Sequence, residues 1–352
     1  SPLHPLYIGS YGEGARPVIH GAQRIFQNLT ENVVIRDLDF ADGFAVIGTT
    51  TARMANILLE GVRSSGPVSF QNNVAAITLR RSTVADVALD EPNGDSFADG
   101  GGIPNRISGL YAASARGLLI EENVFDHNGW RAGYLDDPSL HPPSIYSHNV
   151  YLNYSVGDVT FRDNISSRAS SVGAQLRGGG FAEGNVFIDN NVGLVMLGGS
   201  EAPDPVTGRM AGNQSFLLDN IVTAAAYRQY VGHTGALANS ISVRYGDGTL
   251  IDNVIIHKYD PNDVWEVATK ALRGGALGVL VNSGESNVYN DTIRYNWAGQ
   301  NRSSDNVRGA DYTPHLMQLT IQNFAKQQLG PKATLDDLLV WLRDRDASNW
   351  ND

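Results

Sequence analysis

The chain repeats one short pattern at uneven intervals, and this repeat limits the fold more than any other feature. Each copy has three or four apolar or alternating residues, a polar pair that often contains Asn, and a second apolar pair. The copies are NVVIRDLDF from Asn32, NILLEGVRS from Asn56, AITLRRSTV from Ala76, GLLIEENVF from Gly117, DVTFRDNIS from Asp158, GGFAEGNVF from Gly179 and QSFLLDNIV from Gln214. Starting positions 32, 56, 76, 117, 158, 179 and 214 give steps of 24, 20, 41, 41, 21 and 35 residues. Such short β-branched runs without a helical period predict strand, bend, strand.

A unit of this size cannot bury its apolar face alone, but stacked copies share a continuous core, so the spacing predicts a solenoid. The recurring Asn suits a side-chain ladder at one bend, because Asn tolerates left-handed backbone and can bond to the Asn of the next coil. The pattern resembles the right-handed parallel β-helix of the pectate-lyase-like superfamily over roughly residues 5–300. That resemblance implies an all-β fold and a carbohydrate-active protein, without indicating a specific family.

Two other repeat folds fit the spacing less well. The blade of a β-propeller needs about 40 residues and four strands, which the 41-residue steps allow and the steps of 20, 21 and 24 residues do not. A leucine-rich repeat would show its own Leu and Asn spacing, which these copies lack.

The hydrophobic pattern near the C-terminal end of the sequence differs from that of the repeats. TPHLMQLTIQNFAKQQLG from Thr313 and TLDDLLVWLRDRDASNW from Thr334 carry apolar residues at helical spacing, and Thr334 is a good helix start. We therefore expect a solenoid over residues 1–310 and a helical cover over residues 311–352 that closes its open end.

The net charge, the lengths of the apolar runs and the Cys content limit the kinds of partner that we expect for this protein. The 352 residues carry a formal net charge of −11 and no basic patch, which argues against nucleic acid or an anionic membrane surface. No apolar run is long enough to span a bilayer, and the first residues lack the pattern of a signal peptide. The absence of Cys excludes disulfides, thiolate zinc sites and a thiol nucleophile. We expect an extracellular or periplasmic protein, as a monomer or homotrimer, with a polysaccharide as its partner.

The two 41-residue steps contain extra segments, Val84–Ser108 and Asn128–His148, which leave the solenoid at the same corner of consecutive coils. Long loops inside a compact repeat are usually functional, so this pair predicts the walls of a groove.

The strand after that corner can be followed from coil to coil as FAVI, VSFQ, LYAA, VYLN, AQLR and LVML. Because alternate residues of a strand face opposite sides, Val150 and Leu152 in the core would turn Tyr151 outward. Neighbouring coils lie about 4.8 Å apart, so Tyr151, Gln175 and Arg177 are expected to lie side by side on the floor of the groove.

These residue types suit β-elimination on a uronate polymer. The reaction needs a group that neutralises the carboxylate, a base that removes the C5 proton and an acid that protonates the leaving oxygen. We assign the first role to Arg177 with Gln175, the second to His148, and the third, or both proton transfers, to Tyr151. A quartet of Gln, His, Arg and Tyr is similar in kind to that of alginate lyases on an unrelated jelly-roll fold. The expected substrate-binding residues are Tyr111, Asn149, Asn153, Trp130, Arg131, Asp136, Asp137 and Gln71.

Other functions stay open at this point. A glycoside hydrolase would use two carboxylates from the loops, with Asp136 and Asp137 together with Asp95, Asp99 or Asp126 as candidates. The same quartet would serve C5 epimerisation, although the Asp-Pro-His motif of β-helical mannuronan epimerases is absent. A non-catalytic glycan-binding solenoid is a third class. We expect no cofactor and no defined metal site, and the acidic loop with Asp90, Glu91, Asp95 and Asp99 is only a weak Ca²⁺ candidate.

Overall fold

The protein is all-β with parallel sheets and, where it is described, almost no helix. The computed structural model describes residues 3–27, 31–89, 106–131, 146–188, 190, 192–197, 205–206, 214–223, 241–243, 247–257, 279–281, 286–289, 292–295, 308–309, 329–333 and 337. The helical cover expected over residues 311–352 falls almost wholly outside this part of the chain and stays a prediction.

Thirty strands follow one another in the described ranges. The first fifteen are β1 (Leu6–Gly9), β2 (Val18–Ile19), β3 (Gln23–Gln27), β4 (Glu31–Arg36), β5 (Asp39–Phe40), β6 (Phe44–Ile47), β7 (Met54–Glu60), β8 (Arg63–Ser64), β9 (Val68–Arg80), β10 (Thr83–Ala85), β11 (Ala88–Leu89), β12 (Leu110–Glu121), β13 (Val124–Asp126), β14 (Trp130–Arg131) and β15 (Val150–Leu152). The others are β16 (Gly157–Arg162), β17 (Ile165–Ser167), β18 (Val172–Leu176), β19 (Gly180–Glu183), β20 (Val186–Ile188), β21 (Val192–Met196), β22 (Gln214–Leu218), β23 (Ile221–Thr223), β24 (Ile241–Val243), β25 (Asp247–Ile251), β26 (Val254–His257), β27 (Val279–Val281), β28 (Ser286–Tyr289), β29 (Thr292–Tyr295) and β30 (Arg308–Gly309).

The main strands form three parallel series. The first series runs β3, β6, β9, β12, β15, β18, β21, β24 and β27. The second runs β1, β4, β7, β9, β12, β16, β19, β22, β25 and β28. The third is the eleven-stranded sheet β2, β5, β8, β10, β13, β17, β20, β23, β26, β29 and β30. The long strands β9 and β12 belong to both the first and the second series, so these two series are parts of one seventeen-stranded sheet.

The strand register confirms the repeat spacing read from the sequence. In the second series Val33 pairs with Ile57, Ile57 with Ile77, and Ile77 with Leu118. Hydrogen bonds between equivalent bends join residues 24, 20, 41, 41, 21 and 35 positions apart. Parallel pairing throughout the described strands is compatible with a solenoid and does not fit a β-propeller, whose blades are antiparallel.

The Asn ladder predicted from the sequence is present. Each of the first four Asn amides donates to the side-chain oxygen of the next Asn in the ladder, at 2.9 to 3.0 Å. Its members are Asn123, Asn164, Asn185, Asn220 and Asn253. All five are buried, and the positive φ at this bend falls on the residue before the Asn, such as Glu122 and Asp163. The amides are therefore selected for hydrogen bonding, and the left-handed backbone is taken by their neighbours.

A second column crosses the coils with alternating charge. Its members, in register order, are Arg36, Glu60, Arg80, Glu121, Arg162 and Glu183. Both Glu60 and Glu121 are buried, and Arg162 Nη2 lies 2.6 Å from a carboxylate oxygen of Glu121. Opposite charges face each other at every step of this column, and a one-residue slip would turn these side chains to the other face of the sheet, so the column helps to fix the register.

Candidate functional site

The floor of the candidate site comes from β12, β15 and β18 in the first series. Tyr111 pairs with Tyr151, and Tyr151 pairs with Gln175, so the three residues occupy one column across consecutive coils. Their strand neighbours Val150 and Leu152 are fully buried, whereas Tyr151 and Gln175 are partly exposed. The alternation read from the sequence is therefore confirmed: these polar side chains face out of the core.

A pocket of about 500 Å³ opens over this column. It is lined by Arg106, Ser108, Tyr111, Tyr146, His148, Tyr151, Asn153, Gln175 and Arg177. The structure thus brings together all four residues proposed for catalysis, together with Tyr111 and Asn153 from the substrate-binding set. The size is that of a pocket that encloses a small ligand or a short stretch of a polymer.

Three lining residues were missed by sequence reasoning. Arg106 and Ser108 lie at the end of the first inserted segment, and Tyr146 lies at the end of the second. Leu110 and Val150 pair in register, and Arg106 and Tyr146 stand four positions before them in the chain. The guanidinium carbon of Arg106 lies 4.4 Å from the centroid of the Tyr146 ring. The sequence signal that could have identified them is their position, at the point where each inserted segment leads back into a strand of the pocket floor.

Arg177 and Tyr151 form the central contact of the pocket. Arg177 Nη1 donates to Tyr151 Oη at 3.1 Å, and the same guanidinium lies 5.7 Å from the ring centroid of Tyr154. Among the described residues Arg177 forms no ion pair with a carboxylate, and its side-chain hydrogen bond goes to the phenol. A cation at this distance stabilises negative charge that develops on the phenol oxygen during proton transfer.

The surroundings of His148 favour a different role from the one expected for it. The side chain is 3% exposed, and Val172 N–H donates to its Nδ1 at 3.4 Å. Burial, with the positive charge of Arg106, lowers the pKa of His148 from 6.5 to about 3. A neutral imidazole that accepts through Nδ1 carries its hydrogen on Nε2, so His148 is a donor toward its surroundings and a poor general base.

This environment predicts a pH effect on stability. Below pH 6.5 the unfolded chain protonates His148 and the folded chain does not until about pH 3, so falling pH favours unfolding over that interval. The free energy of unfolding of the parent should therefore fall relative to that of His148→Asn by about 2 kcal/mol between pH 7 and pH 5. Urea denaturation of both proteins across this range measures the difference. A difference that does not change with pH would contradict the neutral assignment.

Tyr111 is held in its protonated form. Burial raises its pKa, and the neighbouring phenols of Tyr151 and Tyr154 add to the shift. Its ring centroid lies 5.7 Å from that of Tyr151, and the two rings are tilted by 35°. Tyr111 therefore offers an apolar ring face and an O–H donor to a ligand on the floor.

The pocket is cationic in an acidic protein. Of the nine lining residues that belong to the described part of the chain, two are arginines and none is a carboxylate, although the chain has a net charge of −11. Protein-family models, curated proteins and solved structures give no match to this chain. The pocket itself therefore carries the functional argument, and its charge favours an anionic ligand.

Two residues expected to bind substrate are instead part of the interior. Asn149 is 0% exposed, and its amide donates to Phe125 O, Ser166 Oγ and Ser167 O. Trp130 is 2% exposed, pairs with β11 through β14 and donates from Nε1 to Arg168 O at 2.7 Å. Both side chains are used to hold the coil corners, so neither reaches the pocket.

Of the remaining expected residues, some lie away from the pocket lining and others lie outside the part of the chain that the structure describes. Gln71 lies in β9 opposite Ala113 and is not among the pocket-lining residues. Arg131 belongs to β14, and its side chain is outside the described set; Asp136 and Asp137 lie outside the described residues altogether. Asp126, a candidate for hydrolysis, is buried and bonded to Arg168 and Ser167. It is therefore a structural residue.

The expectations about a metal site and a membrane span can be compared only with the described ranges of residues. No group of three or more His, Asp or Glu side chains there is arranged to hold a metal ion. The acidic loop from Asp90, with Glu91, Asp95 and Asp99, is outside those ranges, so the weak Ca²⁺ hypothesis stays untested. Within the same ranges, no helix has the length and apolarity needed to cross a membrane.

Proposed function

We propose that the protein is a polysaccharide lyase that cleaves a uronic-acid-containing polymer by β-elimination in the pocket over Tyr151. The observation that carries the proposal is the lining, which has a hydrogen-bonded Tyr151–Arg177 pair, a second guanidinium and no carboxylate among its nine described residues. β-Elimination needs cations and a proton-transfer group at the uronate, whereas it needs no carboxylate from the protein.

Arg177 and Gln175 bind the uronate carboxylate in this proposal. The guanidinium has five N–H donors, and its one side-chain hydrogen bond to the described residues goes to Tyr151. The Gln175 amide lines the pocket without a hydrogen bond to the described residues, so both its N–H groups are available to a ligand. Charge neutralisation of the carboxylate makes the adjacent C5–H more acidic, which is the difficult part of the reaction.

Tyr151 carries both proton transfers. As a phenolate stabilised by Arg177 it takes the C5 proton; the C–H electron pair forms the C4–C5 double bond while the C4–O bond breaks. The phenol then gives the proton to the leaving oxygen, so Tyr151 returns to its starting state and one unsaturated sugar end is formed. His148 Nε2–H and the Tyr111 hydroxyl are donors that orient the sugar.

Hydrolysis is less well supported by the same lining. A glycosidase uses two carboxyl groups about 5 to 10 Å apart on either side of the bond. The described floor and corners contribute none, and Asp126 is already bonded within the interior. C5 epimerisation would use the same Tyr151 and Arg177 but return the proton to the opposite face of C5.

The wider context belongs to the same proposal. We place the catalytic pocket on a right-handed parallel β-helix covering residues 1–310, with the helical cover at residues 311–352. A polymer substrate of this kind is consistent with an extracellular or periplasmic enzyme that acts as a monomer or homotrimer.

A panel of polymers tests the proposal. The purified protein is incubated with alginate, pectate, glucuronan and bacterial exopolysaccharides while absorbance is followed at about 235 nm, where the double bond formed by β-elimination absorbs. We expect an increase with at least one uronate polymer. New reducing ends without that absorbance would indicate a hydrolase, and exchange of the C5 hydrogen without cleavage would indicate an epimerase; both results would overturn the lyase assignment.

A further inference from the structure

We propose that Arg106 is a specificity-determining residue that binds the carboxylate of a second sugar, next to the one that loses its proton. The substrate class would then be a polymer with uronates at consecutive positions. This inference rests on the proposed function above, because it takes the Arg177 position as the site of the reacting uronate.

The two arginines lie two coils apart. Arg106 precedes Leu110 of β12 by four residues, while Arg177 directly follows Leu176 of β18. The strand β15, which carries Tyr151, lies between β12 and β18. With neighbouring strands about 4.8 Å apart, β12 and β18 are separated by about 10 Å along the stacking direction. A carboxylate held by Arg177 beside Tyr151 leaves Arg106, two strands away, to a second anionic group.

The guanidinium of Arg106 is accessible to a ligand and is held in place by a neighbouring ring. Its side chain is exposed, and its guanidinium rests on the ring of Tyr146 at 4.4 Å from the centroid. Most described arginines have a carboxylate partner. Arg116, which lies in the same strand β12 that follows Arg106, has its Nε 3.0 Å from a carboxylate oxygen of Asp158. No carboxylate of the described residues forms an ion pair with Arg106 or Arg177. Stacking on Tyr146 fixes the plane of the guanidinium while leaving its N–H edge for an oxyanion, which is the bidentate geometry that carboxylates accept.

His148 connects Arg106 to the reacting end of the pocket. Arg106 and His148 line the same pocket, and the positive charge of Arg106 adds to the effect of burial in lowering the pKa of His148. His148 in turn lies 5.3 Å from the ring of Tyr151, centroid to centroid. The lining therefore presents Arg106, His148, Tyr151 and Arg177 in succession. A sugar over Tyr151 with its carboxylate on Arg177 has its neighbour on the Arg106 side.

The test combines an enzyme variant with a substrate change. Arg106→Ala and the parent are compared on the polyuronate that the parent cleaves fastest, and on the same polymer with a fraction of its carboxyl groups reduced to neutral sugars. We expect Arg106→Ala to lower kcat/KM on the intact polymer by about ten- to a hundredfold, mainly through KM, as befits one charged contact. On the reduced polymer the two enzymes should differ by clearly less than on the intact polymer, because Arg106 has lost its partner at every site where the neighbouring carboxylate is reduced.

Arg116→Ala is the matched control. It removes one positive charge from a residue of β12 outside the pocket and should leave kcat/KM on both polymers within about twofold of the parent. Equal losses for Arg106→Ala on intact and reduced polymer would overturn the inference while the lyase proposal stands. Should no polymer be cleaved, the proposed function fails by itself; binding of intact and reduced polyuronate, followed by calorimetry, then decides the role of Arg106. Loss of binding restricted to intact polymer would support that role, and unchanged binding would contradict it.

Discussion

Tyr151→Phe is expected to lower kcat/KM on a uronate polymer by about 10³-fold while KM changes little. The substitution keeps the ring and its contact with Tyr111 but removes the hydroxyl that Arg177 holds at 3.1 Å. If that oxygen both accepts the C5 proton and returns it to the leaving group, its loss removes general acid–base catalysis, which contributes about 10²- to 10⁴-fold. Initial rates of absorbance increase measure the effect.

Tyr111→Phe is the control for this prediction. It removes the same group from the equivalent position of the preceding coil, where the phenol stays protonated and only orients the sugar. A loss of about tenfold or less is expected, in line with one hydrogen bond to a neutral donor. If Tyr151→Phe kept more than a tenth of the parental kcat/KM, or if Tyr111→Phe were the more damaging change, Tyr151 would not be the proton-transfer group.

Asn185→Ala is expected to lower the free energy of unfolding by about 3 to 5 kcal/mol, because several buried hydrogen bonds are lost together. The Asn185 amide donates to Phe161 O at 2.8 Å and to Asn220 Oδ1 at 2.9 Å, and its oxygen accepts from both nitrogens of Asn164. Alanine removes the side-chain donor to Phe161 O and the side-chain acceptor of the buried Asn164 backbone N–H. Urea denaturation monitored by Trp fluorescence and far-ultraviolet circular dichroism gives the change.

The matched control is Asn56→Gly. Asn56 also donates to the Asn of a neighbouring coil, Asn32, but this contact of 3.3 Å is exposed to solvent. Its φ of 56° suits glycine, so the free energy of unfolding should change by less than about 1 kcal/mol. Comparable losses for Asn185→Ala and Asn56→Gly would mean that the buried ladder is not what holds the coils together.

Strand alternation and repeat spacing were enough to predict the floor of the pocket. Once Val150 and Leu152 are placed in the core, Tyr151 must face outward, and the 24-residue offset sets Gln175 beside it. The Asn ladder followed from the same repeat. These features depend on local periodicity, which a single sequence displays directly.

Other features depend on contacts that periodicity does not encode. β15 begins at Val150, so alternation does not extend back to Asn149, whose side chain instead turns into the corner. The tautomer of His148 is set by a backbone N–H 24 residues away. Trp130 is withdrawn from the surface by the pairing of β14 with β11.

Arg106 and Tyr146 were missed for a further reason. They stand where the inserted segments rejoin the strands, and these segments have no repeat that would align one with the other. Their contact became apparent only because Leu110 and Val150 pair in register, which brings the two preceding segments to the same corner. Residues at such junctions are good candidates for function in other repeat proteins with paired insertions.

The source of the oxygen in the products tests the central claim most directly. The parent enzyme and the Tyr151→Phe variant are incubated with the best uronate polymer in water enriched in the heavy oxygen isotope, and early products are analysed by mass spectrometry. β-Elimination predicts chain ends that are lighter by one water than hydrolysis products and carry no solvent oxygen, formed by the parent far faster than by the variant. Products that have gained a heavy oxygen at the cleaved bond would contradict the account.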